Sequence, residues 1–575
     1  MKFKKIIASM SLVLSISMLV GCGQGAAQQT SANGDGAGQN QDLSSTVVKT
    51  YVAKDMSANP VKNRKDTLII GTDAPDGVLN PIYSEGQYDT NIARSMFAPL
   101  MVPNEKGEEQ DYLTESHSVS EDGKTYTFKI RDDANWSDGT PITSKDVDLA
   151  IRIICDASYT GPIDLLHGNS KILGVDEYHA GKASTISGIE MKDDKTITIS
   201  LDNPSSSAIY NLGGQIYPVN SAYYSDYYKQ GNTDKIKETY TNPGPSSGAY
   251  KFVSYKEGQE TVLEANDKFF LGTPKIKNVI YKVVTDPVKL QMLQSGDIDF
   301  TDLTVSEDNV EGAEDIGFLG YNLYPTNGYG YIAFNCDKPQ FKDKAVRQAL
   351  TIGLNRAKIV SSVYNNYAKV INEPQSEVSW AYSKGKNEYK YDLEAAKKLL
   401  DDNGWIVGSD GIREKDGVKL TINFTAATDN PVVDSILSVA DSDWKELGVK
   451  FTSEAMDFVS MRQKQQGKDW DMMFMAWSLT EDPMDTVFRS DGAQNKTNYV
   501  NPKVDELAKE IDIETDESKL KDLYAQYYQE LNEDLPYIFM YQRSDMYAYN
   551  GRVKGLDSSP YVYFYLNLYK ATLEE

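Results

Sequence analysis

The sequence predicts a mixed α/β protein built as two lobes joined by two chain crossings. Three observations predict it. The first half is rich in strand-like segments: TLIIGT (67–72), KTYTFKIRD (124–132), KTITISLD (195–202), AYKFVSY (249–255) and NVIYKVV (278–284). Several of these alternate strictly between apolar and polar residues. From about residue 330 strand and helix patterns alternate, which with short links predicts a mostly parallel sheet covered by helices. Beyond a helix near 518–533, PYIFMYQ and YVYFYLNLY return to strand character, so the C-terminus is expected to rejoin the sheet-rich half. A chain that leaves one lobe and comes back crosses twice, which is the anatomy of a hinge.

The elements follow in order. Lys2, Lys4 and Lys5 precede an uncharged apolar run, Ile6 to Val20, closed by Leu19-Val20-Gly21-Cys22. This is the pattern of an export signal over residues 1–22, with Cys22 as the expected lipid-bearing first residue of the mature chain. Residues 23 to about 46 are Gly, Ala, Gln, Ser and Asn, too polar to repay the entropy of ordering. A tether is expected over 23–62; about 25 free residues would reach roughly 25–30 Å.

Tyr126, Phe128 and Ile130 alternate into a strand with one apolar face, and the stretch WSDGTPITSKDV (136–147) turns the chain at Ser137-Asp138-Gly139. Thr143 with Asp146 three residues on reads as a helix cap, and Ile142 with Val147 as a hydrophobic staple. Val147, Ala150, Ile151 and Ile154 continue as a buried face, and Trp136 is expected to cover the corner.

In the second half GYIAFN (330–335) leads to a helix from Lys344 to Leu354. Strand KLTINF (419–424), helix Val432 to Leu447, strand VKFTSE (449–454), helix Phe458 to Gln466 and strand WDMMFMA (470–476) follow. Pro431 suits a first helical turn, and Gly404, Gly448 and Gly467 sit where helices end. Leu520, Leu523, Tyr524, Tyr527 and Leu531 form one packing stripe on the last long helix.

Composition removes whole classes of function. The 575 residues carry a formal charge of −25, and loss of the three signal lysines deepens it to −28. A nucleic-acid partner is therefore excluded. Beyond Cys22 only Cys155 and Cys336 remain, so no disulfide scaffold is expected. The only histidines are His117, His167 and His179. Gly244-Pro245-Ser246-Ser247-Gly248 matches a nucleophile elbow, but every histidine lies upstream and a strand, not a helix, follows. No zinc or phosphate-loop signature is present, so no catalytic residue, cofactor or metal is expected. Paired acids for glycoside hydrolysis stay open among 84 acidic residues. Tyrosine outnumbers phenylalanine 38 to 17, and its ring and hydroxyl together suit polar ligands.

Eight segments, in order, carry a resemblance along almost the whole mature chain. They are LNPIYSEGQYDTNIARSMFAPL, WSDGTPITSKDV, SSGAYKFVSY, LEANDKFFLGTPKIKNVIYKVV with LQSGDIDF, YIAFNCDKPQFKDKAVRQALTIGLNR, YKYDLEAAKKLLDDNGW, WDMMFMAWSLTEDP and NPKVDELAKEID. The sequence resembles the extracellular solute-binding proteins of the peptide/nickel-binding group that serve ABC importers, and its lipid-attachment motif is similar to that of the tethered Gram-positive members. The resemblance implies a periplasmic-binding-protein-like clamshell. Lobe I would span 63–324, with an extra subdomain at about 86–195, and lobe II 325–540, with 541–575 returning to lobe I. It further implies a monomer that captures an extended oligopeptide and docks on membrane-embedded permeases.

Two stretches match the family's ligand-contacting positions. Glu85-Gly86-Gln87 resembles the lobe I segment whose backbone pairs with the peptide, and Ala476-Trp477-Ser478 the lobe II strand opposite it. Peptide binders of the family place an aspartate three residues after this tryptophan, where it holds the ligand ammonium. Here that position is Thr480, followed by Glu481 and Asp482. Either a one-residue shift gives Glu481 or Asp482 the role, or the ligand is not held by a free amine. Asp482 reads equally as the opener of a turn with Pro483. An oligosaccharide or metal chelate as ligand, a peptide-sensing lipoprotein and an extracellular hydrolase are the alternatives.

Overall fold

A computed structural model describes residues 49–574 apart from 167–169, 429, 484–485 and 493. Cys22, the signal segment and most of the tether lie outside the described residues. Lys49–Tyr51, inside the span expected to be tether, form a strand antiparallel to Leu319–Pro325. Asn59 exchanges side-chain hydrogen bonds with Asn550 at 2.8 and 3.0 Å. The body of the fold thus begins some residues before position 63.

The architecture is mixed α/β in two lobes. Its spine is one sheet of 13 strands. In spatial order its main path runs Lys450–Met456, Thr421–Ala427, Met472–Ser478, Gly328–Phe334, Tyr537–Asn550, Phe300–Leu303, Thr67–Thr72, Asn278–Val283, Glu260–Ala265, Tyr250–Lys256. The apolar cores divide along this path. Two clusters draw every buried member from Tyr329 to Tyr541, and two others draw theirs from Tyr51 to Tyr324 plus Met546 to Ala571.

Two stretches of chain connect these cores. Leu319–Pro325 and Gly328–Phe334 are both antiparallel to the single 14-residue strand Tyr537–Asn550, with Pro325 opposite Ser544 and Gly330 opposite Tyr541. The pair is a ribbon interrupted at Thr326-Asn327, with a register shift just beyond, between Gly330 and Tyr331. Gln542, fully buried at the interruption, donates to the Thr326 carbonyl at 2.8 Å and to Ser376 Oγ at 2.6 Å.

The second-half sheet is less parallel than its sequence predicts. Thr421–Ala427 runs parallel to Lys450–Met456 and Met472–Ser478, as helical crossovers require. Gly328–Phe334 enters from the crossing instead, and is antiparallel to both its neighbours. The expected strand YVYFYLNLY is also different: it forms turns and a short helix, Phe564–Asn567, burying Tyr561, Phe564, Tyr565 and Leu568. Its aromatics are spent on the first lobe's core, and packing overrides their strand propensity. Of the three helix-ending glycines, Gly404 and Gly448 are left-handed, whereas Gly467 is not and Lys468 takes the positive φ.

The WSDG corner is scaffold. A four-stranded sheet, ordered Thr114–Val119, Thr125–Ile130, Thr196–Ser200, Ile189–Met191, carries the helix Ser144–Ile154. Thr143 N donates to Asp146 Oδ2 at 2.7 Å in the expected capping box. The same carboxylate accepts from Ser221 N at 2.8 Å, and from Trp136 Nε1 at 3.4 Å. Trp136 is 1% exposed. Ser137 and Ser246 are stitched together, Ser137 N donating to Ser246 O and Ser246 N to Ser137 Oγ. Ser246 is therefore a fully buried strut, its hydroxyl without a hydrogen-bond partner among the described residues. Truncation of Trp136 to Ala is expected to cost about 3–5 kcal/mol, the range for a fully buried large aromatic, read as a shift in urea midpoint.

Candidate functional site

The two stretches singled out in the sequence stand on different supports. Gly86 caps the helix Gln87–Met96, and Asp89 in its first turn accepts backbone hydrogen bonds from Asp76 (2.9 Å) and Val78 (2.7 Å). This carboxylate folds the preceding LNP segment back on the helix start, leaving Glu85 and Gln87 exposed. Gln87, Asn91 and Arg94 follow at i, i+4 and i+7, one face of the helix about 10 Å long. Gln87 and Asn91 line a small pocket with Tyr281, Asp302, Tyr547 and Phe564.

Ala476-Trp477-Ser478 end the strand Met472–Ser478, which pairs residue for residue with Gly328–Phe334. On its other edge regular pairing stops at Met473, opposite Thr425. The last residues of the strand thus offer one edge free of strand partners, with Ala476 and Ser478 exposed. Trp477 is held flat: its indole stacks on Tyr331 at 6.2 Å and 10°, and Tyr331 stacks on Tyr537 at 4.0 Å. Gly328 is required here, since a Cβ would lie 2.5 Å from the Trp477 carbonyl oxygen.

Beyond the strand the chain is pinned to the crossing. Leu479 N donates to Asn327 O at 2.9 Å, and Asn327 Nδ2 donates to the Leu479 (3.2 Å) and Thr480 (2.9 Å) carbonyls. Trp380 Nε1 donates to the Glu481 carbonyl at 3.2 Å, and Thr480 Oγ1 to that of Asp482 at 2.8 Å. Thr480 is exposed; Glu481 and Asp482 are half-buried.

The acidic pair acts on first-lobe residues that the sequence did not single out. Glu481 acts electrostatically on Arg94, Glu109, Tyr210, Tyr217 and Tyr563. Arg94 donates to Tyr565 Oη at 2.9 Å, its guanidinium 5.8 Å from the Tyr217 ring centre and 5.9 Å from that of Tyr565. Burial pushes Glu109 up to about 8, with Glu481 adding to the shift and Arg94 opposing it. Burial likewise takes Asp482 to about 7; Ser207 opposes, and Asp512 and Glu481 add. Glu481 is raised by burial too, against the pull of Arg94. Glu85 acts instead on Tyr159 and Tyr240. Of residues 480–482, Glu481 feels the charge of Arg94, which lies at the far end of the helix that Glu85–Gln87 begin. Arg94 was reachable from sequence as the i+7 partner of Gln87, whereas Glu109, Tyr210 and Tyr217 carry no local signal.

A carboxylate trio elsewhere, Asp73, Asp286 and Asp302, has the spacing of a cation site. It already holds a cation: Lys289 Nζ lies 3.0 Å from Asp73, 2.6 Å from Asp286 and 3.0 Å from Asp302, and its side chain is fully buried. Burial alone would lower that lysine, but Asp302, Asp286 and Asp73 outweigh burial and keep it charged. Of the described histidines, His117 pairs with Asp111 and His179 with the Cys155 carbonyl.

The family model described as bacterial extracellular solute-binding proteins, family 5 Middle, matches residues 110–499. The oligopeptide-binding protein AppA of Bacillus subtilis (strain 168) is 28% identical over 504 residues, covering 86% of this chain and 89% of the relative. The structure of AppA from Bacillus subtilis in complex with a nonapeptide aligns with a TM-score of 0.71 at 27% identity, covering 88% and 99% of the two chains. That of NikZ from Campylobacter jejuni in complex with Ni(L-His) aligns with a TM-score of 0.70 at 26% identity, again covering 88% and 99%.

Replacing Lys289 by Met is expected to lower stability by about 2–3 kcal/mol in urea denaturation, less than for a wholly buried pair because the three carboxylates keep access to water. A chelator is expected to leave the wild-type midpoint unchanged.

Proposed function

The chain belongs to family 5 of the bacterial extracellular solute-binding proteins, and from that premise we propose that it captures oligopeptides in an extended conformation and delivers them to an ABC importer. The observation that carries the reading is the edge of Ala476–Ser478, which has no strand partner among the described residues. Main-chain groups of a peptide can pair with such an edge whatever its side chains are, which gives affinity with loose specificity. The nonapeptide in AppA supports this choice of ligand. On this reading the protein binds peptides without turning them over, as expected of its family. Cys22 carries the lipid and tethers a monomer to the outer face of the membrane. Lobe I comprises residues from about 49 to 324 and 541–575, with its extra subdomain at about 86–195, and lobe II residues 325–540. Peptide backbone meets Glu85–Gln87 on one side and Ala476–Ser478 on the other, while Thr480 leaves the ammonium to Glu481 or Asp482.

Mass spectrometry of ligands recovered from the purified protein is expected to give intact peptides, and calorimetry to show heat with peptides but not with oligosaccharides or nickel–histidine. Heat with nickel–histidine alone would replace the peptide reading by a chelate one. Consistent cleavage by pure protein would defeat the binding-only reading. Asp482→Asn is expected to weaken free-amine peptides roughly 10- to 100-fold, the scale of a hydrogen bond to a charged group, and their N-acetylated forms far less. Equal losses would remove Asp482 from the amine site.

A further inference from the structure

The lobes also meet through loops that take no part in the two crossings. In the four-stranded sheet of the first lobe, Thr125–Ile130 and Thr196–Ser200 pair with Thr125 opposite Ser200. Two loops leave this end of the pair, residues 120–123 and 202–207, and they are tied into one lip. Leu201 N donates to the Lys124 carbonyl at 2.8 Å, Lys124 Nζ to that of Asp202 at 2.9 Å, and the buried Tyr126 hydroxyl to that of Gly123 at 3.0 Å. Ser205 Oγ is bonded in turn to Ser170 Oγ at 2.9 Å. Tyr126 belongs to the first lobe's core, so the lip moves with that lobe. Gly123 closes the shorter loop, its N–H donating to the Ser120 carbonyl at 2.9 Å with φ at +68°, a conformation that favours glycine.

Opposite the lip stands the end of the helix Pro502–Ile513, whose Val504, Leu507 and Ile511 are buried in a second-lobe core. The last carbonyls of a helix have no donor within it. That of Asp512 takes one from the other lobe: Ser206 N donates to it at 3.1 Å. The Asp512 carboxylate is held from its own side by Arg489 at 2.6 Å. Three residues on, the lobes touch again, for a Cβ built on Gly123 would lie 3.2 Å from Thr515 Cγ2. The Ser206 hydroxyl is buried with no hydrogen-bond partner among the described residues, so it is the backbone N–H that reaches across.

We propose that this contact is a closure latch: the lip of the four-stranded subdomain grips the end of Pro502–Ile513 and holds the lobes shut around what lies between them. When the lobes part, the Ser206 N–H and the Asp512 carbonyl both return to water, so the bond exists only in the closed form. Every atom of the grip belongs to the chain itself, so it favours closure by the same amount for every ligand. A larger closed fraction strengthens the binding of all ligands alike. The latch sets how tightly the protein holds its cargo and leaves the choice of cargo to the site.

Two nonapeptides of unrelated sequence, titrated calorimetrically into the whole protein, test the latch on the peptide-capture reading. Ser206→Pro, which deletes the donor, is expected to raise both Kd values about three- to tenfold and by a common factor, while Ser206→Ala, which keeps it, stays within about twofold. Thr515→Trp, a change at an exposed second-lobe residue, wedges against Gly123 and is expected to weaken both peptides alike without touching the loop that carries the donor. Unchanged affinities in both Ser206→Pro and Thr515→Trp, or losses confined to one peptide, overturn the latch while peptide capture stands. A cross-link tests the latch without any peptide. The pair Gly123→Cys and Thr515→Cys is expected to form a disulfide in the free protein on mild oxidation, mapped by mass spectrometry, and the locked protein to take up no ligand until it is reduced. Absence of that disulfide, or undiminished uptake once it has formed, overturns the latch even if neither peptide binds.

Discussion

The whole molecule hangs on one strand. Tyr537–Asn550 pairs with Gly328–Phe334 through its first half and with Leu319–Pro325 through its second, so two separate apolar cores share a single piece of backbone. Backbone hydrogen bonds resist stretching but tolerate twist, and the interruption at Thr326-Asn327 is where the ribbon can give. Gln542, fully buried, bonds the Thr326 carbonyl and Ser376 Oγ and so ties the interruption to the second lobe. The loop after Ser478 is referenced to the same point, because Asn327 holds the carbonyls of Leu479 and Thr480. Lobe position and site geometry are thus set by one structural element.

Charge is managed in different ways at different places in the molecule. At Lys289 three carboxylates are satisfied internally, by a lysine that has given up all contact with water. Such a cluster is finished and has nothing left to bind. At Glu109 and Glu481 burial raises the carboxyls while Arg94, itself bonded to Tyr565, opposes.

Much of the scaffold is legible in local sequence. Thr143 and Asp146, three apart, dictate a cap; Tyr126, Phe128 and Ile130 alternate into the core; Val147, Ala150, Ile151 and Ile154 keep helical period. Each relies on interactions between residues a few positions apart, so periodicity carries it. Where distant partners intervene, local reading fails. YVYFYLNLY has strand-like residues but meets the core of a remote segment and folds as turns and a short helix. Gly328–Phe334 is antiparallel because its neighbour Tyr537–Asn550 returns from the chain's end, about two hundred residues later.

The sequence by itself determined the α/β class, the two crossings, the scaffold role of the WSDG corner and the candidate segments at Glu85–Gln87 and Ala476–Asp482. All of these are written in short-range patterns or in motifs met in order. Only the tertiary structure decided which acid faces which base. Glu109 lies hundreds of residues from Glu481, and nothing in its neighbourhood marks it. Burial and opposition across the gap set its charge state, and both exist only once the two lobes share Tyr537–Asn550.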